Sequence, residues 1–232
     1  MSEIARRALL GGLMATGAGA IAPVLASDWP TRTVSWIVPF PAGGGSDMFS
    51  RPVAARVAEA IGESVVIDNR SGAGGTVGTA VAARAAPDGY TMLVGDTGLV
   101  YAPAVYPRAG FDFLRDFAPI AAFGRVPYAL EINPSRIDAA NLENFIEMAK
   151  KAPGSIDIGS AGLGTVTHLA IGLFEGRAGI KLTHVPYRGG APMLQDLLAG
   201  QIGAAFVLVS AVASAVRSGK LRALAVVNRR RD

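Results

Sequence analysis

Four short stretches carry the residue types from which a small-anion site is made. They are Pro41-Ala42-Gly43-Gly44-Gly45-Ser46-Asp47, Arg70-Ser71-Gly72-Ala73-Gly74-Gly75-Thr76, Ser160-Ala161-Gly162-Leu163-Gly164-Thr165 and Tyr187-Arg188-Gly189-Gly190-Ala191. Each follows a β-like run and precedes a helical pattern. The first turn of a helix has backbone N–H groups with no intrahelical partner, and the helix dipole places positive potential behind them. Glycine lets a ligand approach the backbone closely, and Ser or Thr adds a neutral hydrogen bond. The chemistry this suits is capture of a small anion, above all a carboxylate. Strand-to-helix turns need Gly and capping residues in any α/β protein, so the recurrence has meaning only if the turns converge in space.

Other chemistries find less to draw on. The chain has no Cys, which removes thiolate zinc sites, cysteine nucleophiles and a disulfide framework, and its two His are too few for a histidine-rich metal centre. Gly72-x-Gly74-x-x-x-Gly78 resembles a dinucleotide fingerprint but has Val77 where the last Gly belongs. There is no Gly-x-Ser-x-Gly elbow and no Walker lysine. An esterase reading would have to use Ser46 or Ser160 with His168, without an elbow or an assigned acid. His168 stands early in a helix after a Gly-Thr turn, where it either faces a cleft or packs locally; His184, in an apolar strand, reads as a core residue. Asp47 either orients its loop, touches the ligand, or serves as a simple N-terminal charge. No catalytic residue, metal or cofactor is expected.

These turns need strands and helices to hold them, and the rest of the chain supplies both. Of 232 residues, 50% are hydrophobic and 17% charged, enough to build a core. The net charge is +4, and the only dense basic run is Arg229-Arg230-Arg231. No basic stripe with interleaved aromatics is present, so no nucleic-acid partner is expected. Strands are expected at Thr33–Phe40, Ser64–Asp68, Tyr90–Val94, Pro119–Phe123, Tyr128–Ile132, Ile156–Gly159, Leu182–Val185, Ile202–Val207 and Leu221–Val227, separated by helical patterns. The clearest helix is Asn141–Lys151, with Leu142, Phe145, Ile146 and Ala149 on one face. Pro52 should either kink the first helix or delay its start to about Ser50. Strands alternating with helices predict βαβ units and mainly parallel sheets. Periodicity is weakest over 99 to 127, where the chain is expected to cross between two α/β lobes.

Residues 1 to 26 read as an export signal: Arg6-Arg7, then an uncharged run from Ala8 to Ala22, then Val24-Leu25-Ala26 before a cleavage point. The paired arginines suit a twin-arginine signal, and a general secretory signal is the alternative. The apolar run falls short of the ~20 residues a spanning helix prefers. The mature protein is expected in the periplasm.

Several segments together resemble one family. They include Ile37-Val38-Pro39-Phe40-Pro41-Ala42-Gly43-Gly44-Gly45-Ser46-Asp47, Asn69-Arg70-Ser71-Gly72-Ala73-Gly74-Gly75 and Ala86-Pro87-Asp88-Gly89-Tyr90-Thr91. Further on come Ser160 to Thr165 with His168-Leu169, then His184-Val185-Pro186-Tyr187-Arg188-Gly189 and Leu221 to Val226. In this order, over about 30 to 227, the chain is similar to the substrate-binding proteins of tripartite tricarboxylate transporters, the Bordetella-uptake-gene or TctC type. The resemblance implies an α/β, two-lobed, type II periplasmic-binding-protein-like fold with mainly parallel sheets. It also implies a receptor that closes on a small organic acid and delivers it, as a monomer, to the membrane subunits of the transporter. The implied contacts in the first lobe are Phe40, Ala42, Gly43, Gly44, Ser46 and Asp47. Those in the second are Ser160, Gly164, Thr165, His168, Tyr187 and Gly189.

The implied organisation is a signal over 1–26, a first lobe over 27–124, a second over 125–223, and over 224–232 the start of a return to the first lobe. Members usually run ~70 to 90 residues further, so the fold is expected to be C-terminally incomplete. Members commonly have Phe-Asp where this chain has Phe206-Val207. Two other readings stay open: a ligand-loaded receptor for a two-component sensor kinase, and a non-functional truncated copy.

Overall fold

The structure, a computed structural model, describes residues 29–227. The proposed export signal and the Arg229-Arg230-Arg231 run lie outside the described residues. β1 (Val34–Val38) has three β-branched residues in five and is buried along nearly its whole length. β2 (Val65–Asn69) and β3 (Thr91–Leu93) pair with it on either side, all parallel, in the order β2-β1-β3. Val34 and Trp36 point to one face of this sheet and pack with Ala54 of α1 (Gly45–Ile61). α1 starts upstream of Pro52 and is not delayed by it. The bond that Pro52 cannot donate would go to the Met48 carbonyl, and both residues are exposed, so water can take its place.

β4 (Tyr128–Ile132), β5 (Asp157–Ser160), β6 (Thr183–Pro186), β7 (Ala204–Leu208) and β8 (Arg222–Val226) form a second sheet in the order β6-β5-β7-β4-β8. β5 is parallel to β6 and β7, whereas β4 runs antiparallel to β7 and β8. The sheet is therefore mixed, although parallel pairs predominate among the described residues. Helices cover both faces. Leu130, Ile132, Ile158 and Phe206 pack with Phe145 of α4 (Leu142–Lys151) and Ile171 of α5 (Val166–Ala178). Ala205 and Val207, one residue out of phase, face Met193 and Leu197 of α6 (Gly190–Leu198) and Val212 of α7 (Val209–Arg217). Burial on both faces explains why β7 reads as a continuous apolar run.

Two expectations need correction. Pro119–Phe123 forms no strand: Ile120 stays exposed, and Phe123 instead stacks on Trp36 with ring centroids 5.5 Å apart. A helix also forms where only irregular chain was expected. α3 (Gly98–Val105) follows α2 (Thr76–Ala83) and β3, and it buries Leu99 and Ala102 completely. No described helix is long and apolar enough to cross a membrane.

Candidate functional site

Ligands of parallel α/β sheets sit beyond the carboxyl ends of the strands. Here the loops leaving β1, β3, β5, β6 and β7 meet at such a place. A Cβ added to Gly189 would stand 2.6 Å from Cδ of Pro41, and one on Gly98 would stand 3.2 Å from the Val166 nitrogen. A Cβ on Gly45 would overlap the Leu208 side chain, and one on Gly74 would overlap the Leu163 carbonyl oxygen. The Tyr106 hydroxyl donates to that same carbonyl at 3.3 Å. Loops of the first sheet thus touch loops of the second.

Between them lies a cavity of about 120 Å³. Gly43 to Ser46 line it at the start of α1, Thr165 to Thr167 at the start of α5, and Gly190 and Ala191 at the start of α6. Three of the four glycine-hydroxyl turns therefore reach one hollow. The fourth, 70 to 76, does not line the hollow; its Gly74 lies against the Leu163 carbonyl and its Gly75 against the Phe40 ring. Among the described residues, no arginine or lysine lines this cavity. A separate, wider hollow of about 720 Å³ between α2 and the turn after α3 carries Arg84 and Arg108.

Each turn is held by its own polar groups. Asp47 is 2% exposed. It accepts from the Gly43 N–H at 2.9 Å, from Arg51 through two bonds at 2.8 and 2.9 Å, and from the Asn69 amide at 3.0 Å. Asn69 also donates to the Phe40 carbonyl at 3.1 Å, so Asp47 and Asn69 together pin the turn after β1. Burial opposes ionisation of Asp47, but bonds from Arg51, Gly43 and Asn69 outweigh it and hold its pKa below 3.8. Removing the acceptor leaves these donors unmatched. Asp47→Ala is expected to lower stability by about 2 kcal/mol at neutral pH. Because the folded pKa is depressed, this contribution is present above pH 3.8 and lost as pH falls through the folded value. Urea unfolding of both forms at pH 7 and at pH 3 would check it.

The turn after β5 is organised by hydroxyls. Ser160, fully buried, lies 2.6 Å from Nε2 of His184 and accepts the Gly162 N–H at 3.2 Å. Thr167 Oγ1 accepts from Ala161 N–H at 2.9 Å, and Thr165 donates to the Gly162 carbonyl at 2.6 Å. Thr165 also caps α5, accepting from the His168 N–H at 3.5 Å. His168 Nδ1 accepts the Gly164 N–H at 3.2 Å, and its ring stacks on His184 at 4.7 Å between centroids. Burial, then the neighbouring His168, lowers the His184 pKa below 6.5 against a small opposing effect of Glu175. Ser160 is thus a buried partner of His184, not of His168, so the Ser160–His168 pairing of the esterase reading does not form.

Of the residues singled out in the sequence, Phe40, Gly43, Gly44, Ser46 and Thr165 line the cavity. Asp47, Ser160, Gly164 and His168 stand behind the lining and hold its turns. Ala42, Tyr187 and Gly189 flank it; the Tyr187 hydroxyl donates to Asp196 at 2.8 Å, and burial followed by Asp196 pushes its pKa up to about 12. Gly45, within the first turn, also lines the cavity, as do Asp96, Tyr128, Val166, Thr167 and Leu208, which were missed. Asp96 had a readable signal, since Gly95-Asp96-Thr97-Gly98 repeats the acid-and-glycine form of the turn that carries Asp47. Tyr128 had none.

The family model described as "Tripartite tricarboxylate transporter family receptor" matches residues 49–232. The chain is 35% identical over 229 residues to a protein encoded in the tcbD-tcbE intergenic region of Pseudomonas sp. strain P51. It is 37% identical over 223 residues to protein BugT of Bordetella pertussis. These matches cover 98% and 95% of this chain and 68% of each relative. Three solved structures, each matched over 88% of this chain, are similar. One is titled a periplasmic transporter, with a TM-score of 0.84, 35% identity and 68% of its chain covered. Rpa4515 of R. palustris, solved with adipate, has a TM-score of 0.80, 35% identity and 68% covered. MatC of Rhodopseudomonas palustris, with bound malate, has a TM-score of 0.82, 31% identity and 69% covered.

Proposed function

Since this chain belongs to the tripartite tricarboxylate transporter receptor family, we propose that it captures a small organic carboxylate in the cavity between its two sheets. Its fold is that of the periplasmic binding proteins. One observation carries the proposal: the first turns of α1, α5 and α6 open onto the same hollow, with no basic side chain lining it among the described residues. A carboxylate there exchanges its hydration shell for peptide N–H groups and the positive ends of three helices. A carboxylate also fits the adipate and malate named for the two R. palustris neighbours.

In this reading residues 27–124 and 125–223 act as lobes; the return expected to begin at 224 does not begin before the end of β8, whose residues Arg222–Val226 form an edge strand of the second sheet beside β4. Ligand binds more tightly when both sets of turns contact it, and that difference drives closure. Phe40, Ala42, Gly43, Gly44, Ser46 and Asp47 serve from the first lobe, and Ser160, Gly164, Thr165, His168, Tyr187 and Gly189 from the second. Asp47, Ser160 and His168 act through the turns they hold. The chain works in the periplasm after export directed by residues 1–26, by the twin-arginine or the general secretory route. It acts as a monomer, needs no cofactor, and hands its ligand to transporter membrane subunits without chemical change. Thermal shift and titration calorimetry with four- to six-carbon mono- and dicarboxylates test it. Saturable binding of at least one acid, unmatched by inorganic sulfate or phosphate, is the expected result. No response to any acid overturns it.

A further inference from the structure

The cavity that the carboxylate reading uses also holds a carboxylate of its own. Asp96 is the only charged side chain among the described residues that line it. One Asp96 oxygen, Oδ1, accepts the Gly98 N–H at 2.7 Å and so closes the start of α3, while Oδ2 has no hydrogen-bond partner among the described residues. Tyr128 lines the same hollow. Three helix starts therefore offer donors to the cavity, and the fourth, that of α3, presents an acceptor.

A ligand carrying only carboxylates would set like charge beside Asp96. A ligand that also carries an O–H or N–H⁺ group would satisfy the free oxygen while its carboxylate meets the helix starts. Resting on the receptor reading, we infer that Asp96 is a specificity-determining residue that selects carboxylates bearing a hydroxyl or ammonium group. Burial raises the Asp96 pKa against the opposing influence of the Gly98 bond and the nearby Leu99 N–H, which agrees with a carboxyl in need of a donor. Burial, and next the Asp96 charge, pushes the Tyr128 pKa up to about 12, so the phenol remains protonated.

Matched acids separate this inference from the reading beneath it. Titration calorimetry at pH 7.5 would compare succinate with malate and aspartate, glutarate with 2-hydroxyglutarate and glutamate, and adipate with 2-aminoadipate. In at least one set the substituted acid is expected to bind tenfold or more tightly than its plain partner. Asp96→Asn keeps an acceptor for the Gly98 N–H and turns the other position into a donor, so it should bring that ratio to threefold or less. Asp96→Ala should do the same, and thermal melting of both variants verifies that they fold. Plain diacids binding as tightly as substituted ones, or a preference that survives Asp96→Asn, would overturn the inference and leave the receptor reading intact. If no acid of either kind binds, the receptor reading fails and this assignment falls with it.

Discussion

Glu131→Gln is expected to make the protein about 3 kcal/mol more stable at pH 8 and to leave its stability unchanged at pH 4. Glu131 sits in β4, in the middle of the second sheet, opposite Ala205 of β7 and Ala223 of β8 where the register shifts. Its neighbours Leu130 and Ile132 belong to the cluster with Phe145. Alternation turns Glu131 to the other face, the one where Ala205 and Val207 pack with Leu197 and Val212. It is 1% exposed, and Oε2 has no hydrogen-bond partner among the described residues. Burial without a cation pushes its pKa from 4.5 to about 7.

The folded protein therefore holds this proton more tightly than the unfolded chain. Between pH 4.5 and about 7 the folded state binds more protons, so stability falls as pH rises. The contribution is intact below 4.5 and gone above about 7. At about 1.4 kcal/mol per pKa unit, the shift corresponds to about 3 kcal/mol. Glutamine keeps the shape and removes the charge. Denaturant unfolding of both proteins from pH 4 to 8 isolates the effect, because other titrating groups cancel in the difference. A difference that stays constant with pH would contradict the reading of Glu131 as an unpaired buried acid.

The second large effect concerns the meeting of the turns. Gly189→Ala is expected to weaken binding of the best carboxylate at least tenfold while the protein still folds. Gly189 precedes α6 with φ 138° and ψ 173°, a backbone region that only glycine occupies readily. A methyl group there would stand 2.6 Å from Cδ and 2.7 Å from Cγ of Pro41, so the turn after β6 and the turn after β1 must separate. Strain of this kind costs on the order of 1–3 kcal/mol, and separation also widens the cavity. Gly172→Ala is the matched control: it lies in α5, nothing stands within 4 Å of the added methyl, and the expected change is a slight gain in stability. Calorimetry would measure affinity, with circular dichroism reporting the fold. Unaltered affinity in Gly189→Ala would mean that contact between these turns does not shape the site.

The parts of the site readable in the sequence were those set by local chemistry. Gly43, Gly44, Ser46 and Thr165 announce themselves because a tight turn and a helix start each demand particular residue types. Asp47 was legible as an acid in a first turn, but not as the hub that joins Gly43, Arg51 and Asn69, because Asn69 comes from another strand 22 positions away. Asp96 was overlooked because the element after it is poorly marked: the strand before it was expected, but α3 contains Gly98 and Pro103, which hide any helical period. Pro119 to Phe123 looked like a strand by its apolar content, yet the stacking of Phe123 on Trp36 decided its path. Nothing local marks β4 as antiparallel, since direction is set by which edges of the sheet its neighbours leave open.

Backbone amide shifts test the central claim most directly. In a ¹⁵N–¹H correlation spectrum of the chain titrated with its tightest-binding carboxylate, the amides of Gly45, Ser46, Val166 and Thr167 should move together and saturate at one affinity. If those four stay in place while the acid binds, or if the shifts gather instead around Arg84 and Arg108, helix starts facing a shared hollow are not what holds the ligand.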